Sequence, residues 1–142
     1  MRAKKINFKV FIPTAGIGSR LGKFSKNLNK SLLSVNNKPI IAHIIDLFPN
    51  NTRFVIALGF KGDLVRQFLK NAYPKKNFEY VVVKNYKGVG SSLSLTLNKS
   101  KKYLQSPFIF FACDTIVDKK PPDPKYNWLG YSKKKIISKD FR

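Results

Sequence analysis

The sequence predicts an α/β fold in which a mostly parallel sheet carries helices on both faces. Four short β-rich runs alternate with stretches of helical periodicity, and this alternation is typical of parallel sheets. The fourth run, residues 107–112 (PFIFFA), is continuously apolar, which predicts a strand buried on both faces. A glycine-rich loop follows the first run and Asp114 follows the fourth. Both features therefore belong at the sheet edge where such folds bind ligands.

The predicted strands are rich in β-branched and aromatic residues and end at turn-forming residues. The first ends at Pro13 and the second at Gly59. A further brief extended segment is expected at residues 31–35. The four strands are predicted at residues 7–12, 53–58, 78–83 and 107–112.

Three helices are predicted between these strands. Pro39 is expected to open the first, because proline suits the first helical turn. In the second, Asp63 and Lys70 lie at the ends that the helix dipole favours. The third follows a Gly/Ser turn at residues 88–92. The helices are predicted at residues 39–48, 62–72 and about 93–104.

The charge of the chain is extreme, with 28 Lys and Arg against 7 Asp and Glu and a net charge of +21. The basic residues are 23 Lys and only 5 Arg, alongside 12 Asn, a mixture typical of AT-rich coding. The lysines occur in every segment, and base-reading proteins favour arginine. We interpret the charge mainly as a solvated surface, so nucleic acid is not the expected partner. The alternative is a non-catalytic basic module that binds nucleic acid or anionic lipid.

Length and composition predict one domain at residues 1–131, followed by a basic tail at 132–142. The sequence contains no run of 18 apolar residues, so no membrane-spanning helix is predicted. Residues 1–12 make a poor signal peptide, because their apolar part is short and stops at Pro13. The single cysteine, Cys113, excludes an internal disulfide and fits a cytoplasmic protein.

The loop at residues 13–23 (PTAGIGSRLGK) has the composition of a phosphate-binding loop. A Walker A motif is excluded, because Gly16 and Gly22 are one residue too far apart and Phe24 replaces the hydroxyl that would bind magnesium. A dinucleotide fingerprint fits poorly, because Leu21 replaces its third glycine and no acidic residue follows the second strand.

A third interpretation uses Arg20 inside the loop and Lys30 ten residues later. Closely spaced glycines let backbone N–H groups approach a polyphosphate. The guanidinium fork of Arg20 suits phosphate oxygens, and Lys30 adds a point charge.

The residues around this loop resemble the sugar-phosphate nucleotidyltransferase family, whose signature is G-x-G-x-R followed by P-K. The resemblance spans roughly residues 9–117 and includes the acid at the end of the fourth strand, Asp114. The matching segments are GIGSR (16–20), NKSLLSVNNKPI (29–40), FVIALGFKG (54–62) and GVGSS (88–92).

The resemblance implies a Rossmann-like three-layer sandwich that transfers a nucleoside monophosphate from an NTP to a phosphorylated acceptor and releases pyrophosphate. A sugar 1-phosphate is the expected acceptor, within nucleotide-sugar and surface-polysaccharide precursor synthesis, and a phosphocholine-like compound is the alternative. Arg20 and Lys30 would stabilise phosphate charge in the transition state. Asp114 would hold Mg²⁺. The implied nucleotide-binding residues are Ala15, Gly16, Gly18, Ser19, Asn85, Gly90 and Ser91.

The chain departs from the family pattern at two positions and in length. Asn29 replaces the signature proline, which is expected to loosen the loop that holds Lys30. Asn85 takes the place of a base-reading glutamine. The family's domain is longer, and its later part supplies a second metal-binding aspartate. We therefore expect a partial domain in which nucleotide binding is better preserved than complete catalysis.

Overall fold

Four parallel strands form the central sheet of this computed structural model, which describes residues 7–131. Its strands are β1 (Lys9–Pro13), β4 (Arg53–Leu58), β5 (Asn77–Val82) and β6 (Phe108–Phe110). They lie in the order β5–β4–β1–β6, so the first strand along the chain lies inside the sheet. The predicted α/β fold with a parallel sheet is confirmed.

Helices cover both faces of this sheet because its strands carry apolar residues on both sides. The helices are α1 (Ile40–Asp46), α2 (Gly62–Ala72) and α3 (Leu93–Ser100), and a 3₁₀ helix continues α3 through Lys101–Tyr103. Val10 and Ile12 of β1 belong to the core on the α1 and α2 side. Phe11, between them, belongs to the core on the α3 side. This alternation along one strand produces the three layers.

The segment between the glycine loop and α1 is more folded than its sequence indicates. A 3₁₀ helix at Lys30–Leu32 replaces the first part of the expected extended segment. A short hairpin of β2 (Ser34–Val35) and β3 (Lys38–Pro39) follows. Its turn residues Asn36 and Asn37 have φ angles of 50° and 60°, which asparagine tolerates better than most residues. Because Pro39 pairs in this hairpin, α1 begins one residue later than predicted.

The prediction that the fourth strand is buried on both faces is wrong. Within residues 7–131, β6 pairs with β1 alone and forms an edge of the sheet. Ile109 is 3% exposed, but its neighbour Phe110 is 40% exposed. The apolar run could not distinguish a buried face from one that lines a pocket, and Phe110 does the latter.

Two other expectations concern the ends and the environment of the chain. The predicted basic tail, residues 132–142, lies outside the described residues. Within residues 7–131, no helix is long and apolar enough to span a membrane.

Candidate functional site

A pocket of about 580 Å³ lies at the carboxyl ends of β1 and β6, at the sheet edge where the sequence placed the glycine loop and Asp114. Its size is typical of small-molecule sites. Nine of the ten predicted site residues line this pocket, and Gly90 alone is not on its wall. The nine are Ala15, Gly16, Gly18, Ser19, Arg20, Lys30, Asn85, Ser91 and Asp114.

The glycine loop is hydrogen-bonded at its start to β4, and it continues into a 3₁₀ helix, Ser19–Ser25, whose Ser25 hydroxyl donates to the carbonyl of Gly18 at 2.9 Å. Thr14 is fully buried, and both its backbone N–H and its hydroxyl donate to the carbonyl of Ala57 in β4, at 2.9 and 2.7 Å. Gly18 has a φ of 72°, a left-handed conformation in which glycine has no steric penalty. A Cβ on Gly18 would lie 3.3 Å from the Cβ of Lys30. The loop and Lys30 are therefore in close contact.

Lys30 and Asp114 form an ion pair on the wall of the pocket. The ammonium nitrogen of Lys30 lies 2.8 Å from Oδ2 of Asp114, and the Asp114 side chain is half exposed. Burial opposes the charge of Lys30, but the neighbouring Cys113 and Asp114 outweigh it and raise the lysine pKa. Lys30 is therefore fully charged at neutral pH. The exposed Arg20 adds a second positive charge to the same pocket.

The expectation that Asn29 loosens this loop is wrong. Asn29 is completely buried, and its amide nitrogen donates to the carbonyls of Thr14 and Phe60 at 2.8 and 2.6 Å. Its amide oxygen accepts from the backbone N–H and the hydroxyl of Ser31 at 3.0 and 2.8 Å. The amide makes hydrogen bonds that a proline ring cannot make, so it fastens the loop instead of loosening it.

The segment after β5 forms the opposite wall. Asn85 is exposed there, and the Ser91 hydroxyl donates to the carbonyl of Gly88 at 2.7 Å. The α3 helix begins behind this turn, where the Ser92 hydroxyl accepts from the N–H of Leu95 at 3.0 Å as an N-cap.

Several pocket residues were not identified from the sequence. They are Ile17, Tyr86, Lys87, Leu93, Thr96 and Phe110, among others. Thr96 carried a usable signal, because it lies one helical turn after Ser92 of the predicted Gly/Ser turn. Tyr86, whose ring packs edge-on against Phe60 at 6.2 Å between centroids, follows no such spacing rule.

Asp114 is the acidic side chain on the pocket wall in the described part of the chain. No group of three or more His, Cys, Asp or Glu that could hold a metal occurs within residues 7–131. One half-exposed carboxylate does fit a hard cation that takes its remaining ligands from phosphate oxygens and water. The site therefore suits Mg²⁺ that arrives with a polyphosphate better than Mg²⁺ alone.

Cys113 is expected to be chemically inert despite its place beside Lys30. The thiol is 2% exposed, and burial raises its pKa from 9.0 to about 11, an effect that the nearby Lys30 charge only reduces. With a pKa of about 11 in place of 9.0, the folded chain holds about 100-fold less thiolate at pH 8 than the unfolded chain. We expect Ellman's reagent to label native protein at least about 100-fold more slowly than urea-unfolded protein.

The same shift predicts a pH effect on stability. Because the folded state holds the thiol proton more tightly, the Cys113 contribution to stability is complete below about pH 9. It is lost as the pH rises towards 11. Urea unfolding of wild type and Cys113→Ala between pH 8 and 11 measures this contribution, and parallel pH profiles for the two proteins would contradict it.

Comparison with known proteins gives relatives in sequence, although no protein-family model matches the chain. Over 110 residues the chain is 23% identical to D-glycero-α-D-manno-heptose 1-phosphate guanylyltransferase of Campylobacter jejuni. This match covers 75% of this chain and 50% of that protein. It is 25% identical over 105 residues to the bifunctional protein GlmU of Methanococcus vannielii, covering 73% of this chain and 24% of that protein. The chain thus spans half or less of these relatives.

Solved structures share the fold over a similar extent. UDP-glucose pyrophosphorylase in complex with UDP-glucose matches with a TM-score of 0.62 and 22% identity, over 78% of this chain and 46% of that one. CTP:phosphocholine cytidylyltransferase from Streptococcus pneumoniae matches with a TM-score of 0.61 and 26% identity, over 81% of this chain and 48% of that one. Sequence and fold together confirm the resemblance that the motifs indicated: the chain is similar to the sugar-phosphate nucleotidyltransferases over half or less of their length.

Proposed function

We propose that the chain is the nucleotide-binding part of a nucleotidyltransferase that transfers a nucleoside monophosphate from an NTP to a phosphorylated acceptor and releases pyrophosphate. The observation that carries this proposal is the convergence of Arg20, Lys30 and Asp114 on one pocket beside a glycine-rich loop. A surface that binds anions by its positive charge alone would not require a carboxylate among its cations. A metal-bound triphosphate would use the cations to bind its phosphates and the carboxylate to bind its metal.

The geometry supports a direct displacement that needs no protein nucleophile. A phosphate oxygen of the acceptor forms a bond to the α-phosphorus, the bond from that phosphorus to the α–β bridging oxygen breaks, and pyrophosphate leaves with the electron pair. Arg20 and Lys30 would neutralise the charge that accumulates on the phosphates. Mg²⁺ held by Asp114 and phosphate oxygens would supply Lewis-acid polarisation of the same groups. Cys113, buried and protonated, takes no part.

The proposed acceptor is a sugar 1-phosphate, as in the name of the Campylobacter jejuni relative. The likeness to the Streptococcus pneumoniae cytidylyltransferase supports a phosphocholine-like acceptor as the alternative. We further propose a cytoplasmic setting and a role in making activated precursors for polysaccharides. The single buried thiol is consistent with the reduced compartment.

A ligand titration tests the nucleotide site directly. We expect Mg²⁺ with one preferred NTP out of ATP, CTP, GTP, UTP and dTTP to raise the melting temperature. At 100 times Kd the gain in stability is about 2.7 kcal/mol. In Asp114→Asn, the part of the shift that depends on Mg²⁺ should disappear. Asp118→Asn is the matched control, because Asp118 is exposed and lies outside the pocket wall.

Two results would contradict the proposal. One is that no NTP shifts the melting temperature at saturating concentration. The other is that heparin or duplex DNA binds tightly at physiological salt while NTPs do not, which would favour the non-catalytic basic module. Equal loss of the Mg²⁺-dependent shift in Asp118→Asn would show that bulk charge, and not the pocket carboxylate, attracts the metal.

A further inference from the structure

Asn29 joins three segments that approach one another only in the folded chain. Its amide nitrogen donates to the carbonyl of Thr14 at the end of β1 and to that of Phe60 in the turn after β4. Its amide oxygen accepts two hydrogen bonds from Ser31. Both donors and both acceptor positions of the amide are therefore used, at a side chain that is 0% exposed.

The hydrogen bonds to Ser31 fix the direction in which the Lys30 side chain projects from the backbone. Asn29 is the N-cap of the 3₁₀ helix Lys30–Leu32, so Lys30 is the first helical residue after the cap. From that position its side chain packs beside Gly18 and its ammonium group reaches Asp114 at 2.8 Å. A cap that moves would move the origin of this side chain, and a charge displaced by about 1 Å can lose much of its effect on a reacting group.

The bonds to Thr14 and Phe60 hold the same cap against the glycine loop. Phe60 is doubly tied, because its N–H also donates to the carbonyl of Ala15 in the loop at 2.9 Å. The loop, the turn after β4 and the 3₁₀ helix thus share one buried hydrogen-bonded network. Asn29 is the side chain at its centre.

We propose that Asn29 is a positioning residue, which sets the Lys30 ammonium group against the glycine loop so that both bind the same triphosphate. This inference rests on the proposed function. It also explains why a carboxamide suits the position. Aspartate would point a carboxylate oxygen at two carbonyls, and alanine would leave those carbonyls and the Ser31 groups without their buried partner.

A double-mutant cycle on nucleotide affinity tests the inference. The dissociation constant of the Mg²⁺ complex of the NTP that wild type prefers is measured for Asn29→Ala, Lys30→Met and the double variant. We expect Asn29→Ala alone to weaken binding about tenfold, as expected when hydrogen bonds that hold a charged group are lost. In the Lys30→Met background the same change should weaken binding less than about twofold, because its effect passes through Lys30.

Two further variants keep the test decisive if Asn29→Ala folds poorly. Ser31→Ala removes one bond to the amide oxygen and should weaken binding by about two- to fivefold. Ile45→Val is the control for lost stability, because Ile45 is fully buried on α1 and absent from the pocket wall. It should bind the nucleotide as wild type does. Urea unfolding of each variant shows that binding was measured on folded protein.

The outcomes separate this inference from the function on which it rests. Unchanged affinity in Asn29→Ala, or an equal loss with and without Lys30, would overturn the positioning role and leave the nucleotide site standing. Comparable loss in Ile45→Val would show that the effect is one of global stability, which also overturns it. Failure of wild type to bind any NTP would overturn the proposed function and this inference with it.

Discussion

Gly59→Ala is expected to destabilise the fold and to abolish nucleotide binding in the same protein. A Cβ on Gly59 would lie 2.5 Å from the carbonyl oxygen of Ala15 and 2.8 Å from its Cβ. The Ala15 carbonyl belongs to the glycine loop and already accepts a hydrogen bond from the N–H of Phe60. The clashing atoms of Ala15 are its backbone and the Cβ fixed directly to it, so no flexible side chain can move to relieve the clash.

The expected loss of stability is about 1–3 kcal/mol, the usual range for an added methyl group in a closely packed region. Nucleotide binding should be lost to a greater extent than this decrease in stability alone would cause, because the displaced backbone is the loop that would bind the triphosphate. Urea unfolding followed by circular dichroism measures the first effect. Calorimetric titration with the Mg²⁺ complex of the preferred NTP measures the second.

Gly130→Ala is the matched control for this substitution. A Cβ on Gly130 would have no atom within 4 Å, and its backbone has no positive φ. Its stability should therefore stay within about 0.5 kcal/mol of wild type. Wild-type stability and binding in Gly59→Ala would mean that the loop and the turn after β4 are not in the close contact described here.

The elements with the strongest local signals could be predicted from the sequence. The strand Arg53–Leu58 and the helix Gly62–Ala72 have the predicted bounds, because an apolar run ends at Gly59 and Asp63 and Lys70 mark the helix ends. The 3₁₀ helix Lys30–Leu32 could not be predicted. Three residues are too few for a periodic pattern, and its cap depends on partners elsewhere in the chain.

The same distinction holds for the site. That Arg20 and Asp114 would line one pocket could be predicted, because both follow strands whose carboxyl ends share one edge of the sheet. The role of Asn29 could not, because its partners Thr14 and Phe60 lie 15 and 31 residues away in sequence. Considered within its local sequence, an asparagine in place of proline indicates only a more flexible backbone. Its stabilising bonds exist only once the sheet has brought these segments together.

Lys30→Met is expected to have opposite effects on two ligands. Binding of the Mg²⁺ complex of the preferred NTP should weaken about 10- to 100-fold, since bonds to charged groups contribute roughly 1.5–3 kcal/mol. Binding of a divalent cation to the nucleotide-free protein should instead strengthen. In wild type the Asp114 carboxylate is paired with the Lys30 ammonium group at 2.8 Å, which opposes a cation at the same oxygens.

The gain in cation affinity should be modest, about three- to tenfold, because the half-exposed Asp114 is screened by solvent. Electron paramagnetic resonance of Mn²⁺, used in place of Mg²⁺, measures it without nucleotide. Lys99→Met is the charge-matched control, since Lys99 is exposed on α3 and absent from the pocket wall.

If Lys30→Met weakens both ligands, or if Lys99→Met reproduces its effects, then the pair does not govern access to Asp114. If the two effects are opposite, the ion pair discriminates against free metal. A cation alone must then displace Lys30 from Asp114 without offering it another anion. A metal-bound triphosphate brings phosphate oxygens to Lys30 while its cation takes the carboxylate, so every charge in the pocket keeps a partner of opposite sign.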